Sequence, residues 1–190
     1  VEVTEPHIYA ARVFDIAERL KRDGLRDSVI LSVHTHNDRE SAITSAIYAV
    51  QAGADKIEGT LFGLGERAGN MKLALAAYRI QKAIVDNYRS GIIDSFDGTR
   101  FLKCQEVGRI VGPYVDLTGE ELGVRDPFAG KGIRWVASGS HQDAYAKADR
   151  AAEDSTVLVD HPYLIPDPRR LGFPDDCIRY QPTSYSGKAG

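Results

Sequence analysis

At 190 residues, with 43% hydrophobic and 27% charged residues, the chain is long enough to bury a core and has the composition of an ordinary globular protein, not of a disordered one. Its net charge of -3 comes from basic and acidic residues that are interspersed, so it offers no basic face and nucleic acid is not an expected partner. No apolar run approaches the roughly 20 residues that span a bilayer and no charged-then-apolar leader opens the chain, which makes the cytoplasm the expected compartment.

Val1 to Thr4 reads as a short strand, although the chain opens there without an initiator Met. Val13, Ile16, Ala17 and Leu20 then recur at helical spacing, with Gly24 placed to stop the helix. A second unit pairs the apolar strand SVILSVHT, residues 28–35, with a helix carrying Ala42, Ile43, Ala46, Ile47 and Val50 on one face; Asp38 is placed to cap it and Gly53 to end it. The third unit has Lys56 to Leu61 as strand, the loop FGLGERAGN, and a helix whose buried stripe is Leu73, Ala77, Ile80 and Ile84. Strand-then-helix repeats of roughly thirty residues argue a parallel sheet with helices packed outside it.

From about Ser90 the pattern breaks into shorter elements punctuated by Gly and Pro, so residues 1–89 and 90–190 read as a β/α region and a smaller accessory region with linker. In the latter, Phe101, Cys104, Val107 and Val111 share one helical face, and a stronger helix begins near Ser140, which has capping-box spacing to Asp143. Cys104 and Cys177 are too few and too far apart for a disulfide framework or a zinc knuckle and read as reduced thiols. The closing SYSGKAG is a loop, and both ends read as cuts within a longer polypeptide.

Parallel sheets place chemistry at the carboxyl ends of their strands, where HTHND (34–38) and GERAGN (65–70) both fall. Side chains two apart on a strand share a face, so His34 and His36 point inward together while Val33 and Thr35 point to the helices. Two imidazoles with the Asn70 amide, a carboxylate and water would make an open site for a divalent metal. A hydrogen-bonded core histidine, and Asn70 as the cap of a helix starting at Met71, are the alternatives. The glycine loop lacks the lysine of a P-loop and the spacing of a dinucleotide fingerprint; Gly65 and Gly69 instead let the backbone turn over the mouth of the sheet. Glu66 and Arg67 either pair with each other or order the site.

His141 stands in the first turn of its helix, where the dipole disfavours imidazolium and leaves a histidine able to accept a proton; an exposed helix-start residue is the alternative. Tyr163, in an apolar HPYLIP segment, reads as a packing residue, and His7 and His161 as structural.

HTHND at 34–38, AGADKIEGTLFGLGERAGN at 52–70, SGSHQDA at 138–144 and PYLIPDP at 162–168 together resemble the α-isopropylmalate synthases, of the metal-dependent acyltransferase and aldolase barrel superfamily. The resemblance covers nearly the whole chain. It implies the last three β/α units of a TIM (β/α)8 barrel followed by a small, mostly helical accessory subdomain. It implies that His34, His36 and Asn70 ligate zinc, manganese, magnesium or cobalt, with a further aspartate ligand on a first strand outside this chain. It also implies that His141, with Tyr163 nearby, acts in the partner subunit of a homodimer as part of the acid/base apparatus, with Glu66 a further catalytic group and Arg67, Gly65 and Gly69 in the substrate loop.

The implied reaction is a Claisen condensation of acetyl-CoA with a 2-oxo acid, 2-oxoisovalerate in leucine biosynthesis. The rivals are a homocitrate- or citramalate-type synthase, an aldolase or lyase of the same superfamily, and a non-catalytic assembly fragment. Glu40 departs from the resemblance, standing where that family usually has glycine.

Overall fold

The computed structural model describes residues 2–95, 97–98, 103, 106–151, 163–164, 166–173 and 179–180, and the chain divides into two units, Val1–Ile93 and Asp94–Gly190. The first unit runs α1 (Pro6–Arg22), β1 (Ser32–His34), α2 (Ala42–Gln51), β2 (Lys56–Glu58) and α3 (Leu73–Arg89). β1 and β2 are parallel, with Ser32 opposite Lys56, Val33 opposite Ile57 and His34 opposite Glu58. Parallel pairing requires a crossover, and α2 supplies it. The unit is therefore α/β, as its strand-then-helix periodicity predicts.

Helix ends follow the sequence closely. Gly24 takes a left-handed φ of 67°, its N–H reaches the Lys21 carbonyl at 3.1 Å, and Leu25 N–H reaches the Leu20 carbonyl at 2.8 Å. These are the two bonds of a Schellman stop. Gly53 closes α2 by the same pair of bonds, to Val50 and from Ala54 to Ala49.

Strands are shorter than the apolar runs that contain them. Asp55 explains the start of β1: its carboxylate accepts the Leu31 N–H at 2.8 Å, so the ladder begins only at Ser32, after a 3-10 turn at Arg26–Ser28. β2 stops at Glu58, before Gly59, where a Cβ would lie 2.5 Å from the Met71 carbonyl oxygen. Residues 2–4 form no strand, and Val1 lies outside the described residues. The Glu2 backbone N–H instead donates to the Asp38 carboxylate at 3.0 Å, and the Glu2 carboxylate accepts the Arg39 N–H at 2.6 Å and the Ser41 hydroxyl.

Alanines decide which helix faces are buried. Ala42, Ala46, Met71 and Ala76 form one core cluster, with Ile43, Ile57 and Leu73 packed around it. Val13, Val33, Ala49 and Ala54 form another. α3 fully buries Ala74, Ala76, Tyr78, Gln81 and Val85, the expected Leu73, Ala77, Ile80 and Ile84 are only partly buried, and Ile16 on α1 and Val50 on α2 are exposed.

The second unit contains α4 (Val107–Thr118), β3 (Trp135–Val136), α5 (Gly139–Ala151) and β4 (Arg179–Tyr180), with 3-10 turns at Lys131–Arg134 and Pro168–Leu171; β3 and β4 are parallel. α4 begins at Val107, and Phe101 and Cys104, expected on its face, lie outside the described residues, as do His161, Cys177 and the closing SYSGKAG. α5 starts one residue before Ser140. Ser138 takes the capping position and its carbonyl accepts the Gln142 N–H at 2.9 Å, while Asp143 pairs with Lys147 at 2.6 Å instead of closing a capping box. Val136, Tyr145 and Leu164 form the core around which Tyr163 packs.

At the amino ends of β1 and β2, Arg26 reaches Asp55 at 2.6 Å and the Gly53 carbonyl at 2.9 Å. The Arg26 hydrogen bond, followed by that from Leu31 N–H, holds the Asp55 carboxyl below its ordinary range. A carboxyl more acidic in the folded than in the unfolded state contributes stability above its unfolded pKa of about 3.9 and loses it as pH falls through the folded value. Asp55→Asn is therefore expected to lower the melting temperature at neutral pH, with the gap to the parent closing as the pH drops below about 4. A gap independent of pH in thermal melts would contradict the clamp.

Candidate metal centre

The alternation of β1 sets the site. Val33 is buried among Val13, Ala49 and Ala54, and Thr35, also buried, donates its hydroxyl to the Ala42 carbonyl at 3.0 Å, so both face the helices. His34 and His36 occupy the other face, with ring centroids 5.1 Å apart and the planes at 80°.

The loop after β2 folds back onto this strand end. His36 and Asn70 form an antiparallel bridge, flanked by Asn37 N–H to the Gly69 carbonyl at 2.9 Å and Met71 N–H to the Thr35 carbonyl at 3.0 Å. Partners across such a bridge lie side by side on the same face. α3 begins after Lys72, so Asn70 is not its cap. The Asn70 amide nitrogen donates to the Leu64 carbonyl at 3.0 Å, but Oδ1 is buried with no hydrogen-bond partner among the described residues. A buried carbonyl oxygen without a donor is costly unless something electropositive meets it. That oxygen, on the residue bridged to His36, and the two imidazoles are together a donor set suited to a divalent cation.

Two glycines make room for it. A Cβ on Gly65 would lie 2.5 Å from the Asn70 amide nitrogen, and Gly69 has φ +88° with its missing Cβ 2.1 Å from the Gly63 carbonyl oxygen. Among the described residues no cluster of three His, Cys, Asp or Glu side chains could hold a metal, so a cation here would depend on the amide. A cavity of about 60 Å³ reaches His34 and His36 from the side of Glu2, Thr4 and Tyr9. It admits water but is far smaller than the roughly 300–1,000 Å³ of substrate pockets.

Asp38 does not cap α2. The Asn37 side-chain oxygen sits 3.4 Å from the Ala42 N–H, and Asp38 turns instead to Arg67, whose Nε lies 2.7 Å from Oδ1. The Arg67 hydrogen bond, then the Glu2 N–H, holds the Asp38 carboxyl well below its ordinary range. Arg67 also reaches Glu66 at 3.2 Å, but Glu66 is 84% exposed, so Asp38 is the anchored partner and Glu66 a solvated one. Glu2 is the residue sequence reasoning missed, and Asp38 the one it placed in another role. Asp38 lay inside HTHND, whereas nothing in VEVTEP marks Glu2 as a loop anchor.

In the second unit, the His141 and Tyr163 rings are 5.4 Å apart, inclined at 52°. Burial raises the Tyr163 phenol above its ordinary value. His141 is the third residue of α5, in its first turn.

Residues 1–93 match the family model described as HMGL-like. The whole chain is similar to 2-isopropylmalate synthases: it is 37% identical over 193 residues to that of Desulfitobacterium hafniense (strain Y51), 38% over 190 to that of Azoarcus sp. (strain BH72), and 37% over 193 to that of Helicobacter hepaticus (strain ATCC 51449 / 3B1). Each alignment covers 100% of this chain but only 30% or 31% of the relative. No helix among the described residues is long and apolar enough to cross a membrane.

Glu40 has a φ of +60°, a left-handed conformation that glycine adopts at no steric cost. The left-handed region costs a non-glycine residue on the order of 1–2 kcal/mol, partly offset by the backbone entropy of glycine. Glu40→Gly is expected to stabilise the protein by about 1 kcal/mol in urea unfolding. A loss of stability would show that the Glu40 side chain outweighs its backbone strain.

Proposed function

We propose that this chain is the carboxyl-terminal part of the catalytic β/α barrel, residues 1–89, with the first accessory subdomain and linker, residues 90–190, of a 2-isopropylmalate synthase-type enzyme. The intact enzyme condenses acetyl-CoA with 2-oxoisovalerate in a Claisen condensation that transfers an acyl group and converts it to alkyl, and water then hydrolyses the thioester to release CoA. The observation that carries this reading is the orphaned Asn70 Oδ1 beside the His34–His36 pair. Similarity over the full chain to synthases that are about three times longer supports it.

His34, His36 and Asn70 hold a divalent metal, zinc, manganese, magnesium or cobalt. Held by these three residues, a divalent cation would supply Lewis acidity toward the ketone of the 2-oxo acid. Gly65 and Gly69 shape the loop that presents Asn70, Arg67 fixes that loop against Asp38, and Glu66 stands at the solvent side as a carboxylate for proton transfer. His141, paired with the protonated Tyr163, belongs to the acid/base apparatus that removes a methyl proton from acetyl-CoA, and it acts in trans within a homodimer. The 60 Å³ cavity fits this division of labour, because a rim of ligands needs the remaining barrel strands to enclose a substrate.

The test uses the natural polypeptide with acetyl-CoA, 2-oxoisovalerate and a divalent metal, following thiol release. Release that is abolished by chelator and by His34→Ala is expected, with His141→Ala lowering kcat by about 10²–10⁴-fold. No release with any branched 2-oxo acid would contradict the reading, and retro-aldol turnover in its place would reassign the chemistry to cleavage.

A further inference from the structure

The second unit holds a cavity of about 300 Å³, at the lower end of the roughly 300–1,000 Å³ of small-molecule sites. Its apolar wall comes from Val111 and Val115 of α4, from Leu122 and Val124 beyond that helix, and from Phe173. Lys131 and Arg134 bring two positive charges to it, and Glu121 one negative charge. Both cations belong to the 3-10 turn Lys131–Arg134, in which side chains three apart eclipse, so the backbone sends them to one face.

The segment leading into that turn is tightly tied. The Asp126 carboxylate accepts the N–H groups of Phe128 and Ala129 at 3.1 and 3.0 Å, the Asp126 carbonyl accepts the Gly130 N–H at 3.0 Å, and the Val124 carbonyl accepts the Gly132 N–H at 2.6 Å. A Cβ on Gly130 would lie 2.5 Å from the Asp126 nitrogen, so the backbone packs there as only glycine permits. The guanidinium carbon of Arg134 lies 4.8 Å from the centre of the Phe173 ring, a cation–π contact that sets the position of the group and leaves its edge donors facing outward from the ring. Elsewhere in this unit Arg109 pairs with Glu106 and Lys147 with Asp143. Among the described residues Lys131 and Arg134 have no carboxylate partner, and Glu121 pairs with neither of them.

A half-buried guanidinium that has given up water to a ring and met no anion gains most from a ligand that brings one. Two cations against one carboxylate leave a single positive charge in excess, which suits a monoanion better than a phosphate dianion. We propose that this cavity binds a small monocarboxylic acid with an apolar body: the carboxylate meets Arg134 and Lys131, and the hydrocarbon lies against Val111, Val115 and Leu122. The site does not depend on the metal reading, since all of its residues belong to the second unit.

The experiment uses the natural polypeptide with ¹³C-labelled Val and Leu methyl groups, in the presence of chelator so that no metal-bound carboxylate contributes. The probe is hexanoate, compared with acetate, hexylamine and inorganic phosphate. Hexanoate is expected to shift the methyl signals of Val111, Val115 and Leu122, and Arg134→Gln to weaken its binding by about 10–100-fold, the worth of a charge-assisted hydrogen bond. Lys131→Gln should weaken it by less, because an ammonium lacks the paired donors of a guanidinium. Glu121→Gln should tighten hexanoate and let phosphate in. Acetate, which has the charge without the hydrocarbon, and hexylamine, which reverses the charge, should each bind about tenfold or more weakly than hexanoate. Methyl signals unmoved by hexanoate would overturn the proposal, as would an affinity unchanged in Arg134→Gln, or hexylamine binding as well as hexanoate. Phosphate binding the parent more tightly than hexanoate would overturn the monocarboxylate assignment. If Arg134→Gln does not fold, Arg134→Lys and Lys131→Gln decide, and a hexanoate affinity equal to the parent's in both would contradict the assignment.

Discussion

The two-residue period of a strand is the constraint from which the rest of the first unit follows. Val33 and Thr35 cannot turn toward the helices without sending His34 and His36 to the opposite face. Burial of Val33 with Val13, Ala49 and Ala54, and the Thr35 hydroxyl bond to Ala42, therefore fix where the imidazoles project. A slip of one residue would exchange the two sets, exposing the core and burying the histidines. Packing energy on one side of β1 thereby specifies the chemistry on the other.

Asn70 is brought to that face by backbone, not by side-chain packing. The His36–Asn70 bridge and the bonds flanking it act as one more short pairing, and it closes only because Gly65 and Gly69 leave space where a Cβ would collide. The polar groups of the rim are then shared between three segments: Glu2 holds the turn at 38–41, and Asp38 holds Arg67. Among the described residues the Asn70 side-chain oxygen is the buried side-chain atom left without a hydrogen-bond partner. A fold that satisfies its neighbours so thoroughly and leaves this atom bare is consistent with a ligand that arrives from solution.

Much of this was legible in the sequence, and the reasons differ by element. Helix ends could be read because Gly24 and Gly53 solve a local problem, a left-handed residue after the last turn. The facing of His34 and His36 could be read because alternation is local as well. Strand length could not, since the Asp55 bond to Leu31 and the collision that Gly59 avoids with Met71 are contacts between segments distant in sequence. The buried face of α3 was misjudged because the face that meets Ala42, Ala46 and Met71 is set by contacts between segments: Ala76 enters that cluster and Leu73 lies at its edge. Asp38 was assigned to its nearest helix by spacing, and only the folded loop brings Arg67 within reach of it. In the second unit the nearness of His141 and Tyr163 was not a matter of spacing either, being set by packing around Val136, Tyr145 and Leu164.

The central claim is that His34, His36 and Asn70 meet one cation. X-ray absorption at the metal edge of the natural polypeptide loaded with zinc or manganese tests it most directly. The expected spectrum has oxygen and nitrogen alone as nearest neighbours, with outer-shell scattering from two imidazoles that falls to one in His34→Ala. A shell containing sulfur, or imidazole scattering that is absent or indifferent to His34→Ala, would contradict it.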